Sequence, residues 1–600
     1  MAVQQVNMNS MNRVDAELSE EEFLDCPIRK LDQDSLICIL SKLPIADLAR
    51  VERVSKFWQE AALQSWTGIR KLFVTAKFLG LRSLGMDIIR RKEIQREKIS
   101  ESLLCTVHEI KEINEDMVEQ ILKRCGKSLK KIDVSAIYID VSYLIGKYCK
   151  NIQSINCFYV SNKGIKKIAK NCTKISELAI HKFEDRENKK LHEALGTLFA
   201  NNRNLKSLKL DKYHEISDDS LLKLPLEQMN KIEAGLTEEN LESVLKHAKN
   251  LSNIYFRINN FKVFFFKNII FNNVSNLISL ELISDDFTDK SIDSLLSQVF
   301  RNNRQLKTIK LSDFDYLSGK CFVDLNASAV EEITLNNNPR IQGVELMKSW
   351  PYFENFHRFR YVEYHENDFY RIAECIGACS NFKEFVFNYI NDCYVKDVVK
   401  CFSSSKNVEK LTFNFVLEVD EVCHYISENL PELRYLKLGE NVNVTARGLE
   451  SLCKLEKLKE LEIKELSYEE REECETAEIE SIGKLRNLEV LKFCWLVDIT
   501  GAGLGGLSNL KKLICYYSLN LEDDHLISLL RCADNLELLD IENCEKITNR
   551  VIDVAIEVTK KRTNNILLQI NIYNTAVDIY EIKEHSTLLY LRKDECSEYE

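Results

Sequence analysis

Proline and glycine are scarce, at 6 and 18 in 600 residues, too few for a Gly/Ser/Pro linker on which one part of the chain could swing against another. No apolar run reaches the roughly 20 residues that span a bilayer. Even FKVFFFKNIIF is interrupted by Lys262 and Lys267. The amino-terminal MAVQQVNMNSMNRVDAELSEEEF lacks the apolar centre of a signal peptide. No membrane role is expected, and the expected location is cytoplasmic, nuclear or both, where the 20 cysteines stay reduced. No two of them have C-x-x-C spacing, which removes the commonest zinc and redox signatures. Positive charge is not in excess either. With 82 Lys+Arg against 93 Asp+Glu the net charge is -11, a poor complement to a polyphosphate, so no nucleic acid is expected as principal partner. The short tracts Arg90-Arg91-Lys92 and Lys560-Lys561-Arg562 read as solvated surface.

Catalytic signatures are missing as well. The 10 histidines are scattered, and there is no G-x-S-x-G, H-E-x-x-H or Walker P-loop. The chain is expected to be non-catalytic, with no cofactor and no metal. Gly501-Ala-Gly503-Leu-Gly-Gly506 satisfies G-x-G-x-x-G, but Thr500-x-x-Gly503-Leu504-x-x-Leu507 aligns with Thr445-x-x-Gly448-Leu449-x-x-Leu452 and Ser161-x-x-Gly164-Ile165-x-x-Ile168. The glycines therefore belong to a repeated turn and not to a nucleotide site.

What the chain does have is a repeat. Leu536-Glu-Leu-Leu539-Asp-Ile541-Glu-Asn-Cys544 matches the leucine-rich-repeat pattern L-x-x-L-x-L-x-x-N/C. The same apolar spacing starts at Leu129, Ile152, Ile175, Leu205, Met229, Leu251, Leu277, Leu306, Val330, Phe356, Phe382, Val408, Leu433, Leu458, Leu488, Leu510 and Leu567. The mean period is about 26 residues, within the range of this repeat class. The Met229 copy is the weakest, because Ala234 stands at a large apolar position. Each copy should supply a short strand with alternate residues inward and a helix on the outer side, none able to bury its apolar face alone. The fold class expected is an α/β leucine-rich-repeat solenoid, a curved horseshoe. Cys125, Cys149, Cys172, Cys379 and Cys532 lie three or four residues before repeat starts, where a small, weakly polar side chain suits a packed corner. The acidic stretch at 467–478 reads as a solvated loop.

Ahead of the repeats, LDQDSLICILSKLPIADLARVERVSKFWQEAALQSW at 31–66 has another organisation. Asp32 can cap a first helix carrying Leu36, Ile39, Leu40 and Leu43; Pro44 marks a break; a second helix carries Leu48 and Val51; and Ser55 can cap a third with Phe57, Trp58, Ala61 and Ala62. This segment resembles the F-box. The match runs over Leu31, Leu36 to Leu40, Leu43-Pro44, Asp47-Leu48, Val51, Val54 and Trp58, with Trp66 as the terminal aromatic. Asp32 stands where the family has a proline that is part of its adaptor contact. The cysteine-bearing repeats resemble the subclass common in F-box proteins.

The resemblance implies a substrate-recognition subunit of a Skp-cullin-F-box (SCF) ubiquitin ligase. Leu31, Leu36, Ile39, Leu40, Leu43, Pro44, Leu48, Val51, Val54 and Trp58 would dock on a Skp-family adaptor and, through it, a cullin scaffold. The repeats would bind a protein substrate for ubiquitination and proteasomal degradation, with transfer performed by other subunits. The alternative is a leucine-rich-repeat scaffold or stoichiometric inhibitor without a ubiquitin role. Expected boundaries are a disordered segment at 1–26, the F-box at 27–71, a junction at 72–124 with a degenerate first repeat at Ile69-x-x-Leu72-x-Val74, the solenoid at 125–575, and a cap and tail at 576–600. Strand alternation places Trp495, Tyr516, Tyr517 and Tyr573 on the concave surface. There they either contact substrate or pack under the C-terminal LLYLRK, 588–593.

Overall fold

The computed structural model describes residues 31–43, 45–74, 114–184, 189–211, 216–235, 238–259, 275–285, 290–362, 369–379, 381–388, 407–414, 419–439, 446–464, 480–494, 501, 503–518 and 520–592. Expectations for 1–26, 467–478, Pro44, Trp495, the tract at 90–92 and most of the junction lie outside these residues.

Three helices open the chain: α1 (Gln33–Leu40), α2 (Ile45–Val51) and α3 (Lys56–Gly68). Then comes β1 (Lys71–Phe73), followed by α4 (Glu115–Cys125), β2 (Lys131–Val134), α5 (Ser142–Tyr148), β3 (Ser154–Val160), α6 (Asn162–Asn171) and β4 (Glu177–Phe183). The alternation continues to a last strand, Leu589–Arg592. The helices form where capping and apolar spacing coincide. In α4 the Asn114 side chain accepts the Met117 N–H at 2.9 Å, and Val118, Ile121, Leu122 and Cys125 make one buried stripe.

All 20 described strands join one sheet in which each is parallel to its sequence neighbours. Its register is a single column. Leu72 lies opposite Ile132, then Ile155, Leu178, Leu208, Ile232, Ile254, Leu280, Ile309, Ile333, Phe359, Phe385, Leu411, Leu436, Leu461, Leu491, Leu513, Leu539, Ile570 and Leu591. These are the second apolar positions of the repeats, and all but Leu591 are buried. Strands stack about 4.8 Å apart whereas helices are about 10 Å wide, so such a stack must bend with its sheet on the inside. The architecture is an α/β leucine-rich-repeat solenoid behind a small all-helical module.

The outer side departs from a uniform helix per repeat. Between the strands Val490–Cys494 and Lys512–Ile514 only the 3-10 turn Leu504–Gly506 is formed. The repeat starts Leu488 and Leu510 are too close for a full α-helix to be added. Gly503, at φ 89°, starts this turn, and a Cβ on Gly506 would meet the Gly483 carbonyl oxygen at 2.5 Å. A Cβ on Gly164 would likewise run into Ser142 Oγ. The glycine run is accounted for by close packing of neighbouring repeats.

Polar residues tie the repeats together. Asn202 stands three residues before a repeat start, where other repeats have Cys149, Cys172 or Cys379. Its Oδ1 accepts the Ile175 N–H at 2.7 Å, and its Nδ2 donates to the Cys172 and Leu198 carbonyls at 2.9 and 2.8 Å. Asn303 repeats the arrangement on Leu277 N–H and the Val299 carbonyl. A second asparagine column, immediately before repeat starts, reaches the preceding repeat's backbone: the side chains of Asn151, Asn250, Asn355, Asn381, Asn487 and Asn509 donate to carbonyls at 2.5–3.0 Å.

Each buried backbone group left without a partner costs about 1–3 kcal/mol. Asn202→Ala should therefore lower the melting temperature by several degrees and strip hydrogen-exchange protection from the Ile175 amide. Unchanged protection there would show that the Asn202 side chain does not carry the turn.

Candidate partner-binding surfaces

In the N-terminal module, Asp32 caps α1. Its Oδ1 accepts the Ser35 N–H at 2.6 Å, and the Ser35 hydrogen bonds hold its carboxyl below the usual range. The residue that departs from the F-box pattern thus still starts the first helix. Ser55 caps α3 by accepting the Trp58 N–H at 3.4 Å. Leu36, Leu40, Ile45, Leu48, Ala61, Ala62 and Trp66 are buried and form the module's core. Leu31, Leu43, Val51 and Trp58 are half-buried.

The outward-facing apolar residues are Ile39, Val54, Phe57 and Leu63, at 49%, 62%, 41% and 45% exposure. Of the ten residues expected from sequence to touch an adaptor, Leu36, Leu40 and Leu48 point inward and Ile39 and Val54 outward. Phe57 and Leu63 were not among the ten. Two outward residues of a helix that also feeds the core are hard to assign from spacing alone, because a short module has no fully polar side.

The module is joined to the solenoid at several points. Glu52, in the turn between α2 and α3, accepts Arg124 Nε and one terminal nitrogen of the same guanidinium at 2.8 and 2.9 Å. It also accepts Trp66 Nε1–H at 2.6 Å, and the Arg124 guanidinium lies 5.7 Å from the Trp66 ring centre. Arg124 belongs to α4, so the cluster spans module and solenoid. The backbone adds to it: the Lys130 and Lys131 N–H groups donate to the Arg70 carbonyl at 2.8 and 3.0 Å, and β1 pairs with β2. A planar, bidentate guanidinium fixes orientation in a way that a lysine would not.

Along most of the sheet face, opposite charges alternate across neighbouring strands. Glu281 pairs with Lys310 (3.8 Å), Arg358 with Glu332 (3.5 Å) and Glu384 (2.8 Å), Lys410 with Glu384 (3.3 Å), and Glu462 with Lys437 (2.9 Å) and Lys492 (3.4 Å). Burial pushes the Glu462 carboxyl up, but its two lysines outweigh this and its pKa is lowered. Cross-strand pairs of this kind contribute only about 0.2–1 kcal/mol each.

At the C-terminal end, Tyr516 is buried and Tyr517 and Tyr573 are half-buried. The Tyr516 and Tyr517 rings meet edge to face at 6.3 Å. Tyr517 has φ 58°, in register with Asn543 (59°) and Asn574 (51°). A bulky residue is rare in this left-handed region, where asparagine is at home. The segment Leu589–Arg592 does not lie over these rings as a lid; it pairs beside Leu568–Asn571 and extends the sheet.

The corner cysteines are buried, and burial pushes the thiols of Cys125, Cys172 and Cys379 up to about 12. Thiols held this far from ionisation are packing groups rather than nucleophiles. Among the described residues no group of His, Cys, Asp or Glu is placed to hold a metal ion, and no helix is long and apolar enough to cross a membrane.

A family model described as F-box-like matches residues 33–71, the span of the three helices and β1. The N-terminal module is an F-box-like domain. The protein thus joins an F-box-like domain to a leucine-rich-repeat solenoid, as F-box/leucine-rich-repeat proteins do. No curated protein matches the chain. Solved structures similar to it include the TLR13–ssRNA13 complex, at 13% identity and TM-score 0.37, over 80% of this chain and 62% of that one. The chain therefore spans just under two thirds of the TLR13 chain. The yeast Rad7 and Elc1 complex is similar at 15% identity and TM-score 0.32, over 80% of this chain and 88% of that one. A leucine-rich-repeat protein of Leptospira interrogans is similar at 14% and 0.30, over 76% and 97%. Nothing about partners is taken from these likenesses.

Glu52→Ala leaves the Arg124 guanidinium and Trp66 Nε1–H without their acceptor, and should loosen the F-box against the solenoid by about 1–2 kcal/mol, since Arg124 is partly solvated. Small-angle scattering should then show a broader distribution of F-box-to-solenoid distances. An unchanged scattering profile would mean that strand pairing alone holds the junction.

Proposed function

We propose that the protein is the substrate-recognition subunit of an SCF ubiquitin ligase. Residues 27–71 dock on a Skp-family adaptor, which connects to a cullin scaffold, and the solenoid at 125–575 binds a protein marked for ubiquitination and proteasomal degradation. The chain itself then performs no chemistry and works in the cytoplasm or nucleus.

The observation that supports this most is the outward apolar set Ile39, Val54, Phe57 and Leu63. Four of the chain's exposed large apolar residues fall within one short helical module that already has a filled core. A group of this kind on a small domain marks a surface that a partner completes. Among the ten residues of the sequence reading, Ile39 and Val54 make direct contact in this proposal, Leu31, Leu43, Pro44, Val51 and Trp58 border it, and Leu36, Leu40 and Leu48 hold its shape. The fixed junction suits the role, because a receptor must present its substrate at a set distance from the transferring subunit. Tyr516, Tyr517, Tyr573 and Trp495 remain candidates for substrate contact, since aromatic residues dominate such interfaces.

The test separates contact from folding. Ile39→Asp and Phe57→Asp, each at an exposed position, should abolish co-purification with a Skp-family adaptor while leaving the melting temperature unchanged; burying either side chain is worth about 1.5–3 kcal/mol, and an aspartate adds a desolvation cost. Leu40→Ala should instead lower stability by about 2–5 kcal/mol. If the unmodified protein does not bind adaptor in a purified system, the scaffold or inhibitor reading takes over.

A further inference from the structure

The ion pairs of the sheet face begin at Lys209 and Lys231, which both reach Glu233, and run to Lys492. In the three repeats before Lys209, next to the F-box, the face is different. Tyr138, 56% exposed, sits with its ring centre 4.2 Å from that of half-buried Phe158, and the His181 ring stacks on the other side of Phe158 at 6.3 Å. The polar groups beside these rings are held in place. Asn156 Nδ2 donates to Asp133 Oδ2 at 3.0 Å and to Ser135 Oγ at 3.2 Å, which directs Asn156 Oδ1 towards His181 Nε2 at 3.1 Å. The imidazole therefore donates from Nε2. Burial, helped by Lys209, lowers its pKa and keeps it neutral.

Asp133 is held by hydrogen bonds from the Ser135 hydroxyl and backbone N–H and from Asn156, yet among the described residues it forms no ion pair. Asp140 and Glu184 lie on the same border, and with burial they push the Tyr159 hydroxyl up, as a negative field would. Lys131 and Lys182 flank the patch without ion-pairing among the described residues. The patch thus offers two exposed aromatic faces beside an ionised carboxylate that has no cation, on a sheet where most other carboxylates have one.

We propose that this surface is a docking site for an arginine side chain in an extended segment of the protein substrate. The guanidinium would lie over Tyr138 and Phe158 with its fork of donors on Asp133. Charge complementarity selects a cation. The choice of arginine over lysine follows from the planar group, which stacks on a ring and meets a carboxylate bidentately at once. Small Ala179 and Ala136 beside the rings leave room for the segment's backbone. This inference rests on the solenoid being the substrate-binding part, and it puts one contact at the F-box end, apart from the C-terminal tyrosines.

The test titrates the full chain, at near-physiological salt, with fluorescent hexa-arginine and hexa-lysine peptides. Hexa-arginine should bind about 10-fold more tightly. Tyr138→Ala and Asp133→Asn should each weaken hexa-arginine by about 5–10-fold while barely affecting hexa-lysine. Tyr138 is exposed and Asn keeps the hydrogen bonds of Asp133, so neither change should alter melting; Glu545→Gln, an exposed acid at the far end, should leave binding intact. Equal binding of the two peptides would show attraction to net charge only and overturn the inference, as would unaltered binding by both patch variants, or oligouridylate binding that these variants abolish. Adaptor co-purification is followed in parallel. Its persistence while arginine selectivity fails removes this site alone, whereas its absence in the unmodified chain removes the ligase reading and leaves the peptide result to stand or fall by itself.

Discussion

The column from Leu72 to Leu591, with one apolar side chain of every strand opposite its counterpart in the next, is the constraint on which the rest of the structure depends. A slip by one residue in any strand would turn its buried set outward, so every repeat is locked to its neighbours. No repeat can bury this face alone, and stability in such an array comes from interfaces between neighbours. The same stacking explains why polar groups recur at fixed places. Wherever a turn ends inside the stack its backbone groups must be met, and Asn202 and Asn303 meet them with side-chain amides. The buried cysteines fill equivalent corners as compact, un-ionised groups.

The F-box is tied into this column rather than appended to it. β1 follows directly from α3 and is the first strand of the sheet. The Glu52, Arg124 and Trp66 cluster then fixes the rotation of the helices about that strand. What is left to solvent are the two kinds of surface that a receptor needs. One is apolar and lies on the helical module. The other is the sheet face, where ion pairs neutralise long stretches and leave the aromatic patch at Tyr138, Phe158 and His181 distinct.

Much of the fold is legible in the sequence because its signal is repeated. The starts from Leu129 to Leu536 are buried in the structure, including Met229 with its small partner Ala234; Leu567, the last start, is half-buried at the end of the stack. Other features were not legible, for physical reasons. The Glu52–Arg124 pair joins residues 72 apart, and nothing local marks either of them. Helical spacing identifies Leu36, Ile39 and Leu40 as apolar, but which of them faces inward depends on where α3 packs. The left-handed position shared by Tyr517, Asn543 and Asn574 is visible in sequence as asparagine in two repeats only. The patch at Tyr138 was missed because Tyr138 lies in a loop outside the strand register.

The central claim, that a helical surface at the start of the chain engages an adaptor while the solenoid stays available, is tested most directly by hydrogen exchange of the full chain with and without a purified Skp-family adaptor. The account predicts new protection in peptides covering α1 to α3 and none in the strands from β2 onward. Protection confined to the strands, or absent throughout at saturating adaptor, would contradict it.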